Sequence, residues 1–239
     1  MLRRMDLGTV MVVWAHPDDE SYLSAGLMSH QSANGHRVVC VTATRGEEGS
    51  WDHDRWPPTQ MGEMREAELR AALAELGDIE LIFLDYHDGD CHDVTPAEGA
   101  DKVGALIRDI RPDSVLTFGP EGQTLHPDHL AVHRWTTDAF EREARAGSKL
   151  YYSTETPEWV ERFVPLLNSA FEVFPPGSPG VTERAALGID FHLSDELLRR
   201  KRAALGAHVS QFGPMLDAVG EEVLRRALEN ETYKLARTR

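Results

Sequence analysis

Cysteine is nearly missing from this chain: two in 239 residues, Cys40 and Cys91. Two thiols without metal-ligand spacing exclude a disulfide framework. Cys40 lies inside an apolar run and reads as a buried, inert thiol. Long apolar runs are missing too. The longest, Val10 to Ala15, falls far short of the roughly 20 residues that cross a bilayer. Positive charge is scarce, with 25 Lys and Arg against 40 Asp and Glu, a formal net charge of −15. A surface that negative repels phosphate backbones, which argues against nucleic acid as a partner and leaves small neutral substrates open. Low-complexity segments and internal repeats are also lacking. These absences predict a cytoplasmic protein with neither a nucleic-acid nor a membrane partner; homo-oligomerisation is not readable. The start, "MLRRMDLGTVMVVWA", imitates a secretion leader, but Asp6 interrupts it and cleavage after Ala15 would cut just before an acidic cluster.

What is present alternates. Thr9–Trp14 is a short β-rich run, and residues 20–34 have helical character ending at Asn34-Gly35. Strand-like segments follow at 36–44, 79–86, 113–119 and 149–154. Between them lie helical segments at 61–77, 96–110 and 127–145. Leu198, Leu205, Val209 and Phe212 predict one C-terminal amphipathic helix. The length suits a single domain spanning residues 1–239. The alternation predicts an α/β fold: a Rossmann-like, mostly parallel sheet in the order 3-2-1-4-5, flanked by helices. Strands 1 and 4 are then neighbours, and a ligand crevice opens at their carboxyl ends. Two irregular segments, 45–60 and 156–192, are candidate rims; the second is a lid or substrate-shaping excursion.

Strand 1 runs into "AHPDDE" (15–20), and strand 4 is followed by "HPDH" (126–129). Either motif alone could simply start a helix, because Pro suits the first helical position and acids suit the first turn. Two such motifs at one predicted crevice point to chemistry instead. His16, Asp19 and His129 offer two nitrogens and a carboxylate to a divalent cation, leaving an open position for water, as in catalytic zinc sites. Asp18 is then free as general base, and His126 can stabilise an oxyanion or donate to a leaving amine. The same donor set describes the facial triad of iron(II) oxygenases, so Fe2+ stays open beside Zn2+.

"AHPDDE", "TRGEEG" (44–49), "MREAELRAALAELG" (64–77), "LDYHDGD" (84–90), "HPDH" and "KRAALGAHVSQ" (201–211) together resemble the N-acetylglucosaminyl-phosphatidylinositol de-N-acetylase-like enzymes, also called PIG-L or LmbE-like deacetylases. The resemblance implies a zinc-dependent hydrolase that removes an acetyl group from an N-acetylglucosamine-type small molecule. An amidase on a related glucosaminyl conjugate, or a non-catalytic sugar-binding member, are the alternatives. It implies His16, Asp19 and His129 as metal ligands, Asp18 as base and His126 as oxyanion stabiliser or acid. Arg65 resembles a substrate-binding position; its other reading is a surface ion pair with Glu66 or Glu68. No family pattern matches residues 156–192. Trp51 and Trp56 could stack on a sugar or pack the 45–60 loop. His53 and Asp54 read as solvated. His87, Asp88 and Asp90 could rim the site or serve a turn. His208 and Ser210 are given no role beyond packing.

Overall fold

The structure is a computed structural model that describes residues 5–169 and 171–239; Arg3 and Arg4 of the leader-like start lie outside the described residues. The apolar part of that start is β1 (Val10–Trp14), buried along its whole length. Such a run has no solvent face and belongs at the centre of a sheet covered on both sides. α1 (Asp19–Leu23) and α2 (Ala25–Ala33) lead to β2 (Val38–Thr42), then α3 (Met61–Leu76), β3 (Glu80–Phe83), α4 (Pro96–Ile110) and β4 (Ser114–Thr117). A distorted turn, α5 (Gly122–Leu125), precedes α6 (Pro127–Glu143) and β5 (Lys149–Ser153). α7 (Pro157–Leu167), β6 (Ile189–His192), α8 (Asp195–Ala207), α9 (Val209–Val219), α10 (Glu221–Ala227) and β7 (Asn230–Thr238) complete the chain.

The sheet has seven strands in the order β3-β2-β1-β4-β5-β7-β6. Its first five are parallel, in the predicted order, with Val12 opposite both Cys40 and Leu116. Right-handed crossovers send α1–α3 to one face, where α8 joins them, and α4 and α6 to the other, where they pack on each other. β7 pairs antiparallel with both β5 and β6.

Three expectations need correction. The helix over 20–34 is broken at Ser24 (φ −140°, ψ 4°), because the first N–H groups of α2, from Gly26 and Leu27, are drawn to the Glu231 carboxylate at 2.8 Å each. The single last helix is three helices followed by a strand, and it breaks at His208 (φ −78°, ψ 63°), whose ring is committed to the interior. The 156–192 excursion contains α7 and ends in β6. A second apolar cluster, around Phe163, Leu167, Leu205, Phe212 and Leu224, joins α7, α8, α9 and α10 beside the main core. Both cysteines are buried and free. Among the described residues no helix is long and apolar enough to cross a membrane.

Candidate active site

β1 and β4 are neighbours, so the segments leaving their carboxyl ends meet. The turn after β1 delivers His16, Asp18 and Asp19. The start of α6 delivers His126 as its N-cap and His129 in its first turn. The His129 ring stacks on Phe118 just past β4, at 4.1 Å between centroids and 11° between planes. His16 Nδ1 lies 3.1 Å from His129 Nε2. Asp19 Oδ1 is 3.5 Å from His129 Nε2, and Asp19 Oδ2 is 3.8 Å from His16 Nδ1. Ligand atoms about 2.1 Å from a tetrahedral zinc stand roughly 3.4 Å from one another, and the His16 Nδ1–His129 Nε2 and His129 Nε2–Asp19 Oδ1 spacings match such a centre. Asp19 Oδ2 also accepts the backbone N–H groups of Ala15 and His16, which leaves Oδ1 for a cation.

The outer hydrogen bonds sharpen this fit. His129 Nδ1 faces the Gly122 carbonyl at 2.8 Å and must donate there, so its Nε2 carries the lone pair. His16 Nε2 faces carboxylates of Asp88 at 2.9 Å and Asp128 at 3.2 Å, so its Nδ1 carries the other. Two lone pairs 3.1 Å apart repel unless a cation lies between them. A proton serves that purpose as well as a metal: although burial opposes charge on His16, its two carboxylate partners raise its pKa to about 10. Burial drives His129 well below the usual histidine range, which favours its neutral ring. Among the described residues two groups bring three possible ligand atoms together, His16 with His126 and His129, and His16 with Asp88 and Asp128, and Asp19 is in neither.

His126 stands next to this cluster, 4.8 Å from His16 between ring centroids. Its Nδ1 accepts the N–H of Asp128 at 3.2 Å, so the neutral ring carries its hydrogen on Nε2. Burial and the nearby His16 keep it below the ordinary histidine pKa. Asp18 adopts φ 116°, and its N–H donates to Glu20 Oε2 at 2.9 Å. Burial lifts its carboxyl to about 6, with Arg65 opposing the rise.

Arg65 is buried rather than paired on the surface. It donates from Nη2 to the Pro17 carbonyl at 2.6 Å and from Nη1 to that of Gly46 at 3.0 Å, and lies 3.5 Å from Asp18 Oδ2. A side chain at Gly46 would collide with the Arg65 guanidinium, and Gly46 is also at φ +71°, so glycine is doubly required. Glu66 pairs instead with Arg45 and Arg70, and Glu68 accepts from Ser210. Trp51 is half exposed, lines the cavity and donates to the Ser210 carbonyl at 2.5 Å; Trp56 is half-buried, outside the cavity lining, with the Arg55 guanidinium over its ring. His53, Asp54, His87 and Asp90 are exposed and outside the cavity lining.

Three residues have more to do than the sequence suggested. Asp88 and Asp128 anchor His16, and Asp128 also accepts the N–H groups of Gly89 and Cys91. Despite burial, its hydrogen bond from His16 holds Asp88 well below the usual carboxylate range. His208 is fully buried, with Nε2 2.9 Å from Glu20 Oε1. The signal for Asp128 lay inside "HPDH", between the two histidines.

The cluster opens into a cavity of about 950 Å³. Residues 11–140 match the family model described as PIG-L, GlcNAc-PI de-N-acetylase. Two relatives carry the name 1D-myo-inositol 2-acetamido-2-deoxy-alpha-D-glucopyranoside deacetylase. The one from Actinosynnema mirum is 30% identical over 95% of this chain and 91% of its own. The one from Mycobacteroides abscessus is 34% identical over 85% of this chain and 81% of its own. The N,N'-diacetylchitobiose deacetylase from Pyrococcus horikoshii shares the fold: TM-score 0.67, 16% identity, covering 97% of this chain and 87% of that one.

Proposed function

The chain belongs to the PIG-L family of de-N-acetylases, and from that premise we propose that it is a zinc-dependent hydrolase that removes the acetyl group from an N-acetylglucosamine-type substrate. The relatives are named deacetylases, so this chain is a hydrolytic enzyme acting on an amide bond. One observation carries the reading furthest: two imidazole nitrogens whose outer hydrogens are pinned elsewhere face each other at 3.1 Å with a carboxylate beside them. His16, Asp19 and His129 are the residues that would hold the ion. Bound zinc supplies Lewis acidity, polarising the acyl carbonyl and bringing the pKa of a water to about 7.

The remaining roles fall to the chain's own groups. Asp18 takes the proton of the attacking water, and its position at the cavity wall beside Asp19 suits that task. The Nε2–H of His126 donates to the developing oxyanion. Proton return to the leaving amine falls to Asp18 or His126. Arg65 lines the cavity and donates to the Pro17 and Gly46 carbonyls, so its part is to hold the Asp18 loop beside the substrate.

The test is a pair of variants assayed for amine release from N-acetylglucosamine, its disaccharide and its inositol glycoside. Asp18→Asn keeps its zinc by elemental analysis and loses about 10²–10⁴ in kcat. His129→Ala loses the zinc itself. An Asp18→Asn protein with full activity would refute the mechanism. A zinc-replete wild type that hydrolyses no member of a broad N-acyl panel would refute the function.

A further inference from the structure

The cavity has two chemically different ends. One is built by the segments after β1, β3 and β4 and carries the ionisable groups described above. The other is walled by Trp159 and Leu167 of α7, Phe174, Met215 of α9, Leu224 of α10, and Leu228. These side chains are the unfinished flank of the second apolar cluster. Trp159, Phe174, Met215 and Leu228 pack on it but stay only partly buried, with the cavity on their far side. Two polar atoms on this flank are already engaged. Trp159 Nε1 donates to the Ala227 carbonyl at 2.9 Å, and Asn230 Oδ1 pairs with His192 Nδ1 at 2.6 Å. Glu155, the acid that the β5–α7 connection contributes, is lifted by burial to about 8 and faces the cavity uncharged at neutral pH.

We propose that this wall is an aglycone subsite: the substrate's glucosamine unit carries an alkyl or aryl glycosidic substituent that lies along Trp159, Leu167, Phe174, Met215, Leu224 and Leu228 while the acetamide reaches His16, Asp19 and His129. The proposal rests on the deacetylase reading, because the removal of a group as small as acetyl leaves the apolar volume to the sugar's other end. About 950 Å³ is at the top of the roughly 300–1,000 Å³ range of sites for drug-sized ligands. A polyol such as inositol would lay its hydroxyls against rings and methyls with few free partners, at a cost no contact repays. An alkyl chain would instead leave water for a surface of matching character.

Each buried methylene is worth about a fourfold gain in binding. The zinc-replete protein is assayed with the methyl, octyl and inositol glycosides of N-acetylglucosamine and with N-octanoylglucosamine. The octyl glycoside exceeds the methyl by about 30-fold or more in kcat/KM, carried by KM, since the chain is bound equally in ground and transition states. Met215→Gln lowers the octyl-to-methyl ratio about tenfold, with its thermal melt recorded beside wild type. Equal rates for octyl and methyl, a preference for the inositol glycoside, or faster turnover of N-octanoylglucosamine than of the octyl glycoside would each overturn the subsite. Calorimetry with octyl and methyl β-glucoside, which carry no amide, tests the wall separately from catalysis. Tighter octyl binding in a protein that hydrolyses nothing keeps the wall and removes the deacetylase reading; equal binding removes the wall.

Discussion

Asp18 sits at φ 116°, ψ −30°, a backbone conformation that costs an L-residue strain unless its surroundings enforce it. Two buried groups do so. Glu20 accepts the Asp18 N–H through Oε2, and its other oxygen is gripped by Ser21 and by His208 from the far end of the chain. Arg65 pulls on the Pro17 carbonyl from the opposite side. Burial disfavours charge on both Glu20 and His208, yet each favours the charged form of the other: Glu20 is lowered and His208 raised. Glu20→Ala therefore frees Asp18 to relax; kcat falls about 10–100-fold while zinc content is retained. Proportional loss of zinc and rate would mean that Glu20 merely props up the metal loop. Asp128→Asn acts on the ligand instead. With one carboxylate on the His16 Nε2–H gone, zinc affinity weakens by about 10–100-fold in chelator competition. That the two motifs converge was legible because each follows a strand and those strands are neighbours in the sheet. Their supports were not: Asp88 sits in an Asp-Gly turn and His208 in a stretch with helical spacing, where short-range pattern explains both without invoking partners that only the fold brings near.

Among the elements, the parallel half of the sheet was readable and the antiparallel edge was not. β1, β2 and β4 are buried throughout; β1 and most of β2 are unbroken apolar runs, and β4 is a shorter β-branched and apolar one bounded by Ser114 and Thr117. β7 reads "NETYKLART", polar at most positions, and its buried stretch contains Glu231 and Thr232. A buried glutamate does not look like a core strand residue. Its reason for being there is local: Glu231 accepts the first free N–H groups of α2 and pairs with Lys201 of α8 at 2.8 Å, both side chains about 1% exposed. One carboxylate thereby ties β7, α2 and α8 together. Removing the cation leaves that carboxylate buried with only backbone partners. Lys201→Met should then cost about 3–5 kcal/mol in the urea unfolding free energy. Adding Glu231→Gln to it should recover part of the loss. Equal stability of wild type and Lys201→Met would show that the two α2 N–H groups alone satisfy Glu231.

At the scale of the whole molecule, net charge and one half-buried acid push stability in the same direction. The formal charge of −15 makes the folded state repel itself more strongly as remaining protons leave. Glu155 adds a specific contribution, because burial raises its pKa from 4.5 to about 8, only partly opposed by Lys201. Between those two values the folded chain holds a proton that the unfolded chain has released. Unfolding free energy must therefore fall as pH rises through that window, and level off above about 8 as far as Glu155 is concerned. Glu155→Gln fixes the side chain in its neutral form and removes this term. The variant and the wild type should have similar melting temperatures near pH 5, and the variant should be the more stable near pH 8. Comparing the two chains cancels the titration of the histidine–aspartate cluster and of the surface acids, so the difference belongs to Glu155. If the two melting curves stay parallel from pH 5 to pH 8, the carboxyl of Glu155 is ionised in the fold, and the apolar end of the cavity carries a charge after all.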